Sequence, residues 1–320
     1  MSNIRFMSNA AVALSLLAAG CSDDTGDAAP TTTTTTTTTL APTTEAPTTT
    51  VTTTTVAPTT TGAPAPHENQ TFTVGINGIE VHGDSVWIAS IAANEVIEVD
   101  RLTGTILTRV STDGAGPDDV AIGPDGAVYW TGFLDGSIGR IENGTGSIVA
   151  TLSAGTNPLF FTHDGELIVG IAITGDALYR VPTDGGEPEL IAEPIGDMNG
   201  FDIEGTTVIG PTGGIVGPGS VTTVDLTSGD VNVVLEGLPA VTASTLGDDG
   251  ALYLLAGGSA QVLRWDRAST EAPVVHTLPA GFYDNLSFAD DGTLYVSNFS
   301  TPELTAIADD GTQTIIALGS

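Results

Sequence analysis

Six positions in the chain carry a polar side chain just ahead of a short apolar run: Asn77, Asp118, Asn157, Asn199, Thr242 and Asp284. They follow one another at intervals of 41, 39, 42, 43 and 42 residues, and two have a second polar group beside them, Asp119 and Asn285. Carboxylates and carboxamides are hard oxygen donors. Gathered at one point they suit calcium, which takes about six to eight oxygens, better than zinc, which prefers His or Cys. A carboxylate in such a set can also act as a general acid or base. Taken singly, an Asn or Asp at a strand start caps a turn and bonds neighbouring backbone. Five Asn or Asp among six equivalent positions favour a shared polar site.

The interval itself comes from a repeat. An Asp, usually Asp-Gly, stands seven residues after five of the six positions, at Asp84, Asp125, Asp164, Asp249 and Asp291; the fourth copy lacks it. Asp-Gly between apolar stretches is a hairpin signal, because both residues tolerate positive φ. A second strand follows each turn (Val86-Trp87-Ile88, Val128-Tyr129-Trp130, Leu252-Tyr253-Leu254, Leu294-Tyr295-Val296). A third comes next (Val96 to Val99, Ile138 to Ile141, Leu178 to Val181, Val262 to Trp265), and then a fourth, as in Thr105 to Val110. Four strands in ~42 residues with no amphipathic helix is the arithmetic of a propeller blade. The expected fold is all-β, a six-bladed β-propeller over residues 67–320. The first strand of each blade then lines the channel, and the six polar positions ring one mouth of it. The last repeat has all four of its strands, so Thr71 to Val74 is expected to supplement an edge rather than complete a blade.

The first 66 residues are of another kind. Residues 1–20 read as a secretory signal, with Arg5 as the only charge, an apolar stretch from Ala10 to Leu17, and Ala18-Ala19-Gly20 before Cys21. Leu17 to Cys21 resembles a bacterial lipobox, which implies lipidation at Cys21 and an extracytoplasmic protein anchored to the bacterial cell membrane. Residues 21–66 are Thr, Pro and Ala in the main, with nine threonines from Thr31 to Thr39. Such a tract is expected to be a disordered stalk, at ~3.1 Å per residue where extended.

Charge and inventory exclude several functions. The chain has 39 acidic and 7 basic residues, all arginine, for a net charge of −32. Nucleic acid is excluded as a partner by that sign, and Schiff-base chemistry by the absence of lysine. One cysteine permits no internal disulfide and no multi-thiolate metal site. The four histidines, His67, His82, His163 and His276, stand away from the mouth positions, so a Ser-His-Asp triad lacks its base. No Gly-x-Ser-x-Gly elbow or dinucleotide glycine motif occurs; Gly213-Gly214 and Gly217 to Gly219 read as a flexible loop. Arg140, Arg180 and Arg264 occupy the same place in three third strands and are expected to pair with acids on separate blades. Trp87, Trp130, Tyr129, Tyr253 and Tyr295 read as packing between blades.

The runs Pro117 to Gly126 and Asp284 to Phe288, with Asn199-Gly200-Phe201, make the repeats similar to the gluconolactonase, regucalcin and strictosidine-synthase-like propellers, whose repeats are NHL-like. That resemblance implies a divalent cation, usually calcium, held at the channel mouth by a Glu, an Asn and an Asp, with the Asp as acid/base in lactone hydrolysis. Asn77-Gly78 and Asn199-Gly200 match the Asn-Gly motif, and Asp118 or Asp284 the Asp. Asp284-Asn285 also resembles the calcium-binding pair of paraoxonases. Asn77 stands where the first-blade Glu is expected, and Thr242 follows Asn199 where an Asp is expected. The metal ligands so implied are Asn77, Asp118, Asn157, Asn199, Asp284 and Asn285, with Asp118 and Asp284 as catalytic candidates. Two functions stay open: a membrane-anchored, calcium-binding lactone or ester hydrolase, and a non-catalytic propeller that binds a small-molecule or protein ligand at its channel.

Overall fold

A computed structural model of the chain describes residues 74–213 and 217–319. The signal-like segment, Cys21, the Thr/Pro tract and Gly214 lie outside the described residues. The rest is a ring of six antiparallel four-stranded sheets, each built from four consecutive strands in sequence order. The first strands are Ile76–His82, Pro117–Ile122, Thr156–Phe161, Asp202–Glu204, Ala243–Leu246 and Tyr283–Phe288. These contact one another around the ring and form the wall of the channel. Among the described residues, helix is limited to one 3-10 turn, Gly257–Ser259. This is the six-bladed β-propeller that the repeats predict.

The Asp-Gly turns show how local chemistry sets the strands. Gly126, Gly165, Gly250 and Gly292 all have positive φ, between 75° and 86°. At three of these turns the preceding Asp accepts a backbone N–H two residues on: Ala127 to Asp125 at 3.1 Å, Ala251 to Asp249 at 3.1 Å, and Thr293 to Asp291 at 3.1 Å. The side chain mimics a backbone turn and leaves the glycine to take the left-handed conformation.

Apolar burial lies between the blades rather than within them. Tyr295, Leu304 and Ile316 of the sixth blade pack with Ile79, Ile88 and Ile106 of the first. Equivalent clusters fill the other five seams. Each fully buried large side chain contributes roughly 1.5–3 kcal/mol, so no blade is stable without its neighbours. The last blade, from Tyr283–Phe288 to Gln313–Ala317, is complete from its own chain segment, as the sequence predicts. The ends then cross the seam in both directions. Gly75 N–H donates to Phe299 O of the sixth blade at 3.0 Å, and Gly319 N–H donates to Gly104 O of the first at 2.9 Å.

Candidate functional site at the channel mouth

An interrupted register puts the mouth residues where they are. In the first blade Ile76 pairs with Ser90 and Ile79 with Ile88, so Asn77 and Gly78 oppose one residue. Asp118-Asp119 sit in the same way between Pro117 and Val120, and Asp284-Asn285 between Tyr283 and Leu286. A bulge re-aims side chains that a regular strand would send to opposite faces. Here it explains why polar residues occur in adjacent pairs at the head of the inner strands.

Asn77 joins two carboxylates. Its Nδ2 donates to Asp118 Oδ1 at 2.7 Å, and Asp284 lies near enough for the same amide to favour its charged form. Its Oδ1 accepts from Ile91 N–H at 3.4 Å, which orients the amide with nitrogen toward the acids. Burial pushes both carboxyls up, and proximity of Asp284 and then Asp119 adds to the rise at Asp118; the Asn77 amide opposes the rise at Asp284. Two like charges this close titrate as a pair.

A second cross-blade bond lies beneath. Asn285 Nδ2 donates to Asp119 Oδ1 at 3.0 Å, from the sixth blade to the second, past the first. Gly78 is the first-blade residue between them. A Cβ there would lie 2.3 Å from Asp119 Oδ1 and 2.5 Å from its Cα, so only glycine fits. Asp119 Oδ2 takes Leu159 N–H of the third blade at 3.2 Å. Asn285 Oδ1 accepts Leu286 N–H at 2.7 Å. Burial nonetheless raises the Asp119 carboxyl, and the Leu159 and Val120 N–H groups only partly offset it.

Three residues deeper on each inner strand is a level the sequence reasoning missed. Glu80 follows Asn77, Asp202 follows Asn199, and Ser287 follows Asp284 by the same step. They line a cavity of about 30 Å³ with Asp119, Ser244 and Asn285, room for about one water. Ser287 Oγ donates to Glu80 Oε2 at 3.2 Å. The narrow channel strips Glu80 of bulk water and pushes its carboxyl up to about 8, against the Ser287 bond and with Asp202 adding to the rise. Asp202 is raised by burial too, opposed by N–H bonds from Leu246 at 2.8 Å and Ile203 at 2.6 Å. Two acids three positions after an Asn, in the first and fourth repeats, were the available signal.

The six expected ligands therefore divide. Asn77 and Asn285 have both ends of their amides engaged within the protein. Asp118 and Asp284 stand together. Asn157 is 8% exposed, and its side chain, like that of half-buried Asn199, has no hydrogen-bond partner among the described residues. Thr242 Oγ1 bonds Leu255 O at 3.2 Å and belongs to the wall. Neither amide is sealed from solvent, and among the described residues no cluster of three or more His, Cys, Asp or Glu is gathered for a metal ion; Asp118 and Asp284 offer two hard oxygen donors to a divalent cation. Two carboxylates would also balance its charge.

The opposite end of the ring lacks these features. His82 and His163 are exposed there, and His276 lies on an outer strand. Arg140 pairs with Asp125 and Glu142, Arg180 with Glu166 and Glu189, and Arg264 with Asp249 and Asp266, as separate blade-surface pairs. A cleft of about 480 Å³ beside Asp248, Tyr253 and Asp309 is larger than the channel cavity but lies at this turn end, away from the mouth.

Comparison with known proteins places this arrangement. The strictosidine synthase-like, N-terminal family matches residues 100–141, the segment that leads into and contains the Asp118-Asp119 strand. The chain is thus similar to the strictosidine-synthase-like and gluconolactonase-like propellers. Among solved structures, a gluconolactonase of Xanthomonas campestris matches at 16% identity and TM-score 0.59, over 73% of this chain and 85% of that one. Regucalcin of Agrobacterium tumefaciens, a calcium-binding protein, matches at 16% identity and TM-score 0.57, over 79% and 94%. Virginiamycin B lyase of Staphylococcus aureus matches at 17% identity and TM-score 0.59, over 77% and 85%. No curated protein matches the sequence. At these identities the solved structures share the fold with this chain.

Proposed function

We propose that the protein is a divalent-cation-binding propeller, with calcium held at the channel mouth by Asp118, Asp284, Asn157 and Asn199, and that it hydrolyses a lactone or related ester there. The observation that carries this is the buried, mutually close Asp118–Asp284 carboxylate pair beside Asn77, whose amide donates to Asp118. Calcium, when bound, would supply Lewis-acid polarisation of a carbonyl. Asp118 and Asp284 sit with raised affinity for protons and would take and return the proton of an attacking water. Asn77 and Asn285 act by positioning: one fixes the pair, the other fixes Asp119 behind it. The cavity below holds about 30 Å³, so a substrate would lie on the mouth and not within the ring. A lipid anchor at Cys21 and a stalk over residues 21–66 complete the proposal and would hold the ring outside the cell membrane.

Thermal melting with and without millimolar calcium tests the cation, because a ligand bound only by the folded state raises apparent stability. A calcium-dependent rise that Asp118→Asn abolishes supports the site. Absence of any rise counts against it. Lactone turnover lost in the same variant supports hydrolysis, whereas a calcium rise with no turnover leaves the propeller as a binding module.

A further inference from the structure

The repeat departs from itself at one outer position of the first blade. In the second blade Tyr129 pairs across the sheet with Arg140, and Arg140 bonds both the Tyr129 hydroxyl and Asp125. In the fifth, Tyr253 pairs with Arg264, which bonds Asp249 at 2.7 Å, and Asp249 accepts the Tyr253 hydroxyl. The sixth blade has Ala306 opposite Tyr295, and Arg101 reaches over from the first blade to Tyr295 and Asp291. Three blades therefore end this position in a tyrosine, an aspartate and an arginine locked together. In the first blade the cross-strand pair is Trp87 and Glu98. The cation is replaced by an anion.

Among the described residues no cation neutralises that anion. Ser85 and Thr108 hydroxyls donate to Glu98 at 2.8 and 3.0 Å, but no arginine salt bridge reaches it among the described residues. Trp87 packs on the apolar seam between the first two blades and also borders a cavity of about 330 Å³ there. Glu98, Asp125, Glu142 and Asn143 border the same space, with no basic residue among its lining. Glu98 differs from the other two acids, because Arg140 already pairs with Asp125 and Glu142.

We propose that this seam is a binding site for an organic cation, an alkylammonium or guanidinium group seated against Trp87 with its charge on Glu98. An indole ring attracts a cation by its quadrupole, and a carboxylate held by hydroxyls but by no cation supplies the opposite charge. A chain with 35 of its 39 acids and six of its seven arginines in residues 67–320 draws such ligands toward it. The group could be a free polyamine or a lysine side chain of a peptide; both present the same chemistry.

The test is titration of the folded protein with spermidine and, separately, with a lysine-bearing peptide, followed by Trp fluorescence and calorimetry. Glu98→Gln retains the hydroxyl partners and removes only the charge. Binding of either probe that weakens at least about tenfold in Glu98→Gln and in Trp87→Leu, and is unchanged in the remote Glu271→Gln, is the expected result. Spermidine alone identifies a free amine as the ligand; the peptide alone identifies a protein side chain. Binding equally strong in Glu98→Gln would show general attraction to an acidic surface and overturn the proposal. So would absence of binding at millimolar probe, or binding of a neutral disaccharide in place of both cations.

Discussion

Acids at the two ends of the ring behave in opposite ways. At the Asp-Gly turn end, Asp125, Asp249 and Asp291 accept turn N–H groups and face arginine, which hold their carboxyls below the usual range despite some burial. At the mouth and in the channel, Asp118, Asp119, Asp284 and Glu80 have no arginine partner among the described residues, and burial drives them up. The residue types are the same and recur within the same repeat, seven positions apart. The turn end uses its acids for structure, whereas the channel keeps acids that no cation among the described residues compensates. Such groups mark sites where a cation or a proton is handled.

The sharpest way to break that contrast is at Glu80. Its carboxyl rises from 4.5 to about 8 on folding, so the folded state holds a proton that the unfolded state has lost. The sign follows: stability is fully present below pH 4.5 and declines as pH climbs to about 8. Glu80→Gln removes this loss. The variant should match the parent near pH 4.5 and exceed it by about 2–4 kcal/mol above pH 8, after allowance for solvent access. Denaturant melts across that range give the difference; a constant offset would mean that Glu80 is ionised in the folded ring.

Glycine substitutions separate the ends by mechanism. Gly78→Ala drives a methyl group into Asp119 and should cost about 1–3 kcal/mol or more, with calcium dependence disturbed as well. Gly126→Ala meets no atom within 4 Å but must adopt a φ of 76°. It should cost only about 1 kcal/mol and leave calcium binding intact. Equal effects of the two on calcium-dependent melting would remove the distinction between mouth and turn.

The smallest effect is expected at Arg101→Ala, whose partner Asp291 is 49% exposed. The loss should be under about 1 kcal/mol. Asp291 titrates below its ordinary 3.8, so the contribution is present above that pH and disappears as pH falls through the folded value. Salt should shrink it further.

Much of this was legible beforehand, and for physical reasons. Asp-Gly turns and β-rich runs at a steady interval determine blade number, because each turn chemistry is local. The mouth positions followed, since strand heads in a ring share one opening. Asn77 and Asn285 were expected as ligands and instead donate across blades, a distinction that depends on which way an amide is turned and so on Ile91 and Leu286 N–H. Glu80 and Asp202 were missed because an acid within a strand reads as a solvent-facing residue until the ring closes over it. Trp87 packs as expected, yet its cross-strand partner Glu98 became informative only through register with Arg140 and Arg264.

The seam where the chain enters has a further bearing on orientation. Gly75 stands two residues ahead of Asn77, and its N–H is fastened to Phe299 O of the neighbouring blade. The described chain therefore begins at the rim of the mouth that holds Asp118 and Asp284, while the Asp-Gly turns, with Trp87 and Glu98 near them, form the opposite pole. One repeat thus gives a single chain two chemically distinct faces, and the point where the strands begin marks which is which.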